Sequence, residues 1–152
     1  MKSDNPLRHF AIPFGIAVLV YVIFYVGIEH RRTRKGPWQV AFTNDPSGSP
    51  ALVINEPALA ITNLQITFTG ETNRTENTSL VFSRPREVPY EVPFGKCVFM
   101  DTTFLPGTIV FDLFGHEIQL IPRVLTIDKQ EIPWQSGKTV EVGKTNLTKV
   151  LP

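Results

Sequence analysis

The sequence predicts an all-β domain, a single β-sandwich or small barrel, behind one N-terminal transmembrane helix. Residues 10–28 form a run of nineteen residues without a charge. After Gly36 the chain changes to short segments of β-type alternation between turn formers, with no sustained helical periodicity. A domain of about 115 residues is large enough for one hydrophobic core. We expect four parts: an N-terminal tail at 1–9, a transmembrane helix at 10–28, a basic juxtamembrane segment at 29–36 and a β-sandwich-like domain at 37–152.

The apolar run has the length and composition of a membrane span. Twelve of its nineteen residues are Ile, Leu, Val or Phe. A helix of this length spans roughly 28 Å, close to the ~30 Å hydrocarbon core of a bilayer. A buried core helix would be shorter and would carry a polar stripe. A cleaved signal peptide is the other alternative, but the run exceeds the usual ~15 apolar residues and no A-x-A site follows it. We therefore expect a retained single-pass anchor.

The charges beside the run predict which side of the membrane the domain occupies. Two basic residues, Lys2 and Arg8, precede the run, and four follow it: Arg31, Arg32, Arg34 and Lys35. Because basic residues are retained on the cytoplasmic side, the C-terminal domain is expected in the cytoplasm. Long domains can be translocated despite nearby charge, so the opposite orientation stays open. The four cations could bind anionic headgroups at the bilayer surface, or serve only as stop-transfer charges.

The net charge of +1 conceals an uneven distribution. Residues 1–35 hold six basic and two acidic side chains, a net charge of +4. Residues 36–152 hold nine basic and twelve acidic side chains, a net charge of −3. Since affinity for nucleic acid comes from Lys and Arg against phosphate, the sign of the domain argues against a nucleic-acid partner.

The clearest strand signal is the segment TIVFDLFGHEIQLIP at 108–122. A two-residue turn at Gly115 and His116 would be of type II′ and would pair Leu113 with Ile118. This register places four apolar side chains on one face: Phe111, Leu113, Ile118 and Leu120. Alternation at 64–69, a turn DKQE at 128–131 and a further run at 139–142 complete a pattern of seven or eight short strands.

A proline-rich strip, RPREVPYEVPFG at 84–95, separates the two halves of the domain. Its prolines recur at every fourth position, so the strip should be extended and should not form a central strand. It has two interpretations. It could be a partner-docking site formed by Pro89, Tyr90, Pro93 and Phe94. Alternatively, it is an edge connection whose aromatic side chains pack back on the core.

No catalytic, metal-binding or cofactor-binding set is recognisable in the sequence. Two of the three histidines flank the apolar run, and the third, His116, is expected at a solvent-exposed turn. The only cysteine, Cys97, lies in an apolar strand-like run and is expected to be a small buried hydrophobe. The two GKT triplets lack the earlier glycine that a phosphate-binding loop requires.

These features predict a binding protein more readily than an enzyme. We expect a protein-interaction or accessory scaffold subunit at the membrane surface, in contact with the bilayer and with another membrane or membrane-associated protein. The alternative is a tethered small-ligand binding or enzymatic β-barrel, whose polar groups would come from separate strands and escape motif searches.

Overall fold

The computed structural model describes residues 6–72, 76–143 and 148–150 and shows a mostly β protein with one N-terminal helix. The chain divides into two compact units, which meet in the sequence between Arg34 and Lys35. The first unit contains the helix and the second contains two β-sheets.

Helix α1 runs from Pro6 to Thr33 and is longer than the predicted 10–28. Its segment His9–Thr33 is long and apolar enough to cross a membrane. The side chains of residues 9–28 are exposed around the whole circumference, and the helix has no distinct polar stripe. The helix continues into the predicted juxtamembrane segment because Glu29 and Arg32 pair across one turn and the basic residues of the last turn favour its negative end.

The second unit forms two six-stranded sheets. The first sheet has the strand order β12-β11-β3-β2-β1-β4 and the second the order β10-β9-β8-β7-β6-β5. The bounds are β1 Gln39–Asn44, β2 Pro50–Glu56, β3 Ile61–Thr69, β4 Thr78–Val81, β5 Tyr90–Val92, β6 Gly95–Asp101, β7 Thr108–Leu113, β8 His116–Ile121, β9 Val124–Ile127, β10 Gln130–Ile132, β11 Thr139–Gly143 and β12 Thr148–Val150. The described residues thus contain more strands than the seven or eight predicted.

Every strand pair is antiparallel except β3 and β11, which run parallel. The second sheet is a meander in which each strand pairs with the next along the chain. Two separate sheets with a shared core fit the predicted sandwich better than the predicted small barrel, which would need one closed sheet.

Aromatic rings from both sheets fill the core. Phe42 on β1 lies 6.1 Å from Phe111 on β7, at nearly perpendicular planes. Phe68 on β3 lies 5.2 Å from Phe114 and 6.5 Å from Phe94, which follow β7 and β5. Such pairs add about 0.5–1.5 kcal/mol each beyond the burial of their area. These contacts hold the two sheets together.

The β7–β8 hairpin corrects the predicted register. The turn residues are Phe114 and Gly115, both at positive φ, which is a type I′ turn. Leu113 therefore pairs with His116 and not with Ile118, a shift of two residues. The predicted face is nevertheless right, since Phe111, Leu113, Ile118 and Leu120 are all fully buried. A two-residue shift leaves the inward and outward alternation of a strand intact, because its period is two.

Trp38 begins the packed part of the domain and depends on a glycine far along the chain. It is 0% exposed, and its indole N–H donates to the carbonyl oxygen of Gly107 at 3.0 Å. Gly107 has a φ of +76°, and a Cβ there would lie 1.9 Å from the carbonyl oxygen of Asp101. A side chain at Gly107 would thus force two backbone segments apart beside the buried indole.

We predict that Gly107→Ala destabilises the domain by about 2–4 kcal/mol, because strain at positive φ adds to a backbone clash. Gly48→Ala is the matched control, since Gly48 has a φ of +87° and open space around its Cβ position. It should cost only about 1 kcal/mol. Urea unfolding of the full chain in detergent, followed by tryptophan fluorescence, measures both. Equal losses for the two variants would contradict the proposed clash.

Candidate functional site

The proline-rich strip carries the chain from one sheet to the other. β4 is the last strand of the first sheet, and β5 is the last strand of the second. Residues 82–89 connect them along one side of the sandwich and form no strand. Pro85 and Pro89 are exposed, and each lacks the amide proton that a ladder needs. The strip therefore crosses this side of the sandwich as a connection between two edge strands.

A groove of about 320 Å³ lies along this crossing. Its lining combines apolar side chains of three strands with polar side chains of the connection. The residues are Leu80, Val81, Phe82, Ser83, Arg84, Pro85, Arg86, Tyr90 and Met100. Three of them, Leu80, Tyr90 and Met100, pack against the core yet remain partly exposed. The groove is thus an incompletely covered margin of the hydrophobic core.

Two weakly acidic side chains, Tyr90 and Cys97, lie near Arg86. The Arg86 guanidinium carbon lies 4.8 Å from the centroid of the Tyr90 ring, a cation–π distance. Burial, and then the neighbouring Cys97, raise the pKa of Tyr90. Burial also raises the pKa of the Cys97 thiol. Since both side chains stay protonated at neutral pH, the charge of the groove comes from Arg84 and Arg86.

The structure separates the four residues of the predicted docking site. Tyr90 lines the groove, Pro89 is exposed and Pro93 is half-buried. Phe94 is only 7% exposed, with its ring 5.7 Å from Phe42. The ring of Phe94 packs in the core and is not available to a docking partner, as the edge-connection interpretation predicts. Cys97 is fully buried, as predicted.

Of the nine residues that line the groove, the predicted docking set contained only Tyr90, so sequence reasoning missed the other eight, among them Val81, Arg84, Arg86 and Met100. The two arginines flank a proline at the start of the strip, so their proximity was readable from the sequence. Val81 and Met100 belong to strands of different sheets, and no local pattern joins them.

The predicted membrane-surface cations lie at the end of the helix and just beyond it. Arg31 and Arg32 belong to the last turn of α1, while Arg34 and Lys35 follow it and are exposed. Arg32 forms an ion pair with Glu29, with Nη2 and Oε1 2.8 Å apart. Contact of the four cations with lipid headgroups stays a prediction.

A second polar cluster joins His116 to Asp128. His116 is buried, so its predicted exposure to water is wrong: the actual turn precedes it, and its ring lies 6.3 Å from that of Phe68. Its Nδ1 and the Asp128 Oδ2 are 2.7 Å apart, and the Glu117 backbone N–H donates to Asp128 Oδ1. Asp128 and Lys129, both at positive φ, form the β9–β10 turn, which is shorter than the predicted DKQE turn.

This cluster has the contacts of a structural clamp. One carboxylate satisfies a buried ring nitrogen and a backbone amide, and so connects the β9–β10 turn to the start of β8. Across the described ranges, no three side chains of His, Cys, Asp or Glu converge on a possible metal position. The contacts of the pair thus account for it as a stabilising feature of the second sheet.

The chain matches no family model, and neither a curated protein nor a solved structure is detectably similar to it. The class of protein is therefore defined by the structure: a β-rich fold of two sheets with one N-terminal helix apolar enough to span a membrane.

Replacement of Asp128 by Gly should lower the free energy of unfolding by about 1–3 kcal/mol, because a buried imidazole and an amide lose their acceptor. Glycine tolerates the positive φ, so backbone strain does not contribute. Lys129→Gly is the matched control in the same turn, also at positive φ and exposed. It should be neutral or stabilising. Thermal and urea unfolding of the full chain compare them, and an Asp128→Gly variant as stable as the control would refute the clamp.

Proposed function

We propose that the chain is a single-pass membrane protein whose β-sandwich acts as a protein-interaction or accessory scaffold subunit at the membrane surface. The observation that carries this proposal is the groove beside the proline-rich strip, where inward-facing side chains of the core remain partly exposed. An apolar margin of this kind gains stability when a partner removes it from water.

The helix supports the anchoring part of the proposal. Its apolar surface faces outward on every side, and exposure of that much apolar area to water is strongly unfavourable. A bilayer removes the cost without any protein neighbour, and the length of the helix suits a single crossing. The bilayer is thus the first proposed partner.

The packing of the domain favours a surface function over the alternative of a ligand-binding or enzymatic barrel. The space between the sheets is occupied by Phe42, Phe68 and Phe111, which are fully buried. Small-ligand sites are concave cavities that enclose most of their ligand. Side chains that fill the inter-sheet space leave the edges and outer faces as the surfaces available for binding.

A bulge adds apolar surface near the groove. The register of β6 against β7 shifts between Cys97 and Phe99, so Val98 is an extra residue. Val98 and Phe99 both become exposed, and Phe99 keeps 49% of its surface in solvent. Bulges often reorient side chains beside functional sites. The bulge therefore supports a second contact area on the outer face of the second sheet.

The size of the detergent-extracted complex tests whether the chain has a protein partner. Extraction in a mild detergent should yield a complex larger than the 17.1 kDa chain with its micelle, since the groove is covered in the assembled state. Chemical crosslinking in native membranes should give an adduct of matching composition. The chain solubilised in a harsh detergent provides the monomer standard. A species that is monomeric in the mild detergent and gives no adduct in the membrane would end the proposal.

We further propose that the β-domain lies on the cytoplasmic side, and cysteine labelling tests this orientation. Glu131→Cys in a Cys97→Ser background places one thiol on exposed β10. Ser136 is less suitable because its hydroxyl donates to the Ala60 carbonyl and accepts from the Thr62 amide. An impermeant maleimide should label the variant only after lysis, because four basic residues follow the helix and two precede it.

The Cys97→Ser chain without the new thiol is the blank for this labelling. Any outer membrane is opened before the intact cells are treated. Labelling of intact cells at the level of lysed cells would place the domain on the opposite side and refute the cytoplasmic orientation.

A further inference from the structure

We infer that the groove binds an acidic, extended segment of a partner protein, which adds as a strand to the free edge of β4. This inference rests on the proposed interaction function and specifies its partner. Three observations carry it: an unpaired strand edge, an uncovered part of the core and a local excess of positive charge.

The first observation is the edge of β4. Among the described strands, β4 pairs only with β1, and the connection that follows turns away toward the second sheet. Val81 is 57% exposed at the end of this strand. An edge strand presents unpaired N–H and C=O groups, and an extended peptide satisfies them by forming the next strand of the sheet.

The second observation is the apolar side of the groove. Leu80, Tyr90 and Met100 face inward, because residues directly opposite each other on neighbouring strands point to the same face of a sheet. Their opposite residues are all fully buried: Val40, Cys97 and Ile109, respectively. The three nevertheless remain partly exposed because, among the described strands, none follows β4 or β5 on this side. In an added strand every second side chain would point between the sheets and cover them.

The third observation is the sign of the charge. Residues 36–152 carry a net charge of −3, yet Arg84 and Arg86 line the groove, and none of the described residues that line it is acidic. In the described part of the chain neither arginine forms an ion pair with a carboxylate. The Arg86 guanidinium lies over the Tyr90 ring at a cation–π distance. Arginine forks bind carboxylates bidentately, so carboxylates on the added segment match this rim.

A protein segment fits these observations better than an anionic lipid. A headgroup would satisfy the arginines but would leave the amides and carbonyls of β4 unpaired. An acidic peptide uses the strand edge, the apolar margin and the cations together. The incoming segment should therefore alternate apolar residues, which face Leu80 and Met100, with polar residues that include Asp or Glu near the arginines.

Site-specific photocrosslinking of the full chain in its native membrane tests the inference. A benzoylphenylalanine is placed at Ser79, which is exposed on β4 and leaves the groove lining intact. The matched control position is Gln130, exposed on β10 at the other edge of the second sheet. We expect a protein adduct at Ser79, and mass spectrometry should map it to an acidic stretch with apolar alternation.

Charge variants identify the contribution of the arginines. Arg84→Glu with Arg86→Glu should lower the yield of the Ser79 adduct at least about tenfold, since attraction becomes like-charge repulsion. Arg84→Lys with Arg86→Lys should give a yield between those of the unchanged chain and the charge reversal, because the positive charge remains while the bidentate fork is lost. Both arginines are exposed, so unchanged thermal unfolding of each variant verifies that the fold is intact.

Four other results would each contradict a different part of the inference. An adduct that survives charge reversal, or that maps to a basic or uncharged segment, refutes the acidic partner. Crosslinking to lipid at Ser79 refutes the strand-addition mode. An adduct at Gln130 with none at Ser79 refutes this site but leaves the interaction function standing. No protein adduct at either position, together with a monomer in mild detergent, refutes both the site and the proposed function.

Discussion

The contact between aromatic rings of the two sheets is the interaction on which the rest of the domain depends. Phe42 and Phe68 from the first sheet meet Phe94, Phe111 and Phe114 from the second. Each sheet alone would expose a hydrophobic face, so neither is stable without the other. Because bulky rings occupy the inter-sheet space, chemistry that requires an enclosed cavity has little room there. Recognition at the edges and outer faces remains compatible with such a filled interior.

The proline-rich connection determines where the sandwich stays open. A chain that crosses from β4 to β5 could in principle add a further strand to one of the sheets and cover its edge. Prolines at 85 and 89 prevent this, since they supply no amide donors, and the backbone bends at residues 84, 88 and 89 instead of running extended as predicted. Beyond β5, the turn that leads into β6 places Phe94 in the core, which fixes the end of the proline-rich strip. It is therefore fixed in place without closing the margin that it crosses.

The sequence predicts the composition of the faces much better than the pairing of the strands. Alternation placed Phe111, Leu113, Ile118 and Leu120 correctly because burial acts on each side chain separately. The β7–β8 turn was misplaced because glycine usually marks the first residue of a type II′ turn, whereas here Phe114 takes the positive φ before Gly115. The groove and the burial of His116 were unpredictable for another reason. Both depend on contacts between distant residues, such as His116 with Asp128.

The net charge of the domain does not indicate the local charge of its surface, because the charged residues are unevenly distributed. A total of −3 argues against nucleic acid, yet it conceals a groove whose lining, as far as the structure describes it, contains Arg84 and Arg86 but no carboxylate. The sign of the local charge has the largest effect on partner selection at a strand edge. Backbone hydrogen bonds repeat along an edge, so by themselves they accept a partner strand in several registers and with little selectivity. Two cations beside that edge reduce this freedom, because registers that bring acidic side chains to Arg84 and Arg86 gain an attraction that other registers lack. On the proposed mode of binding, the backbone of β4 provides affinity and the two arginines provide register and choice of partner.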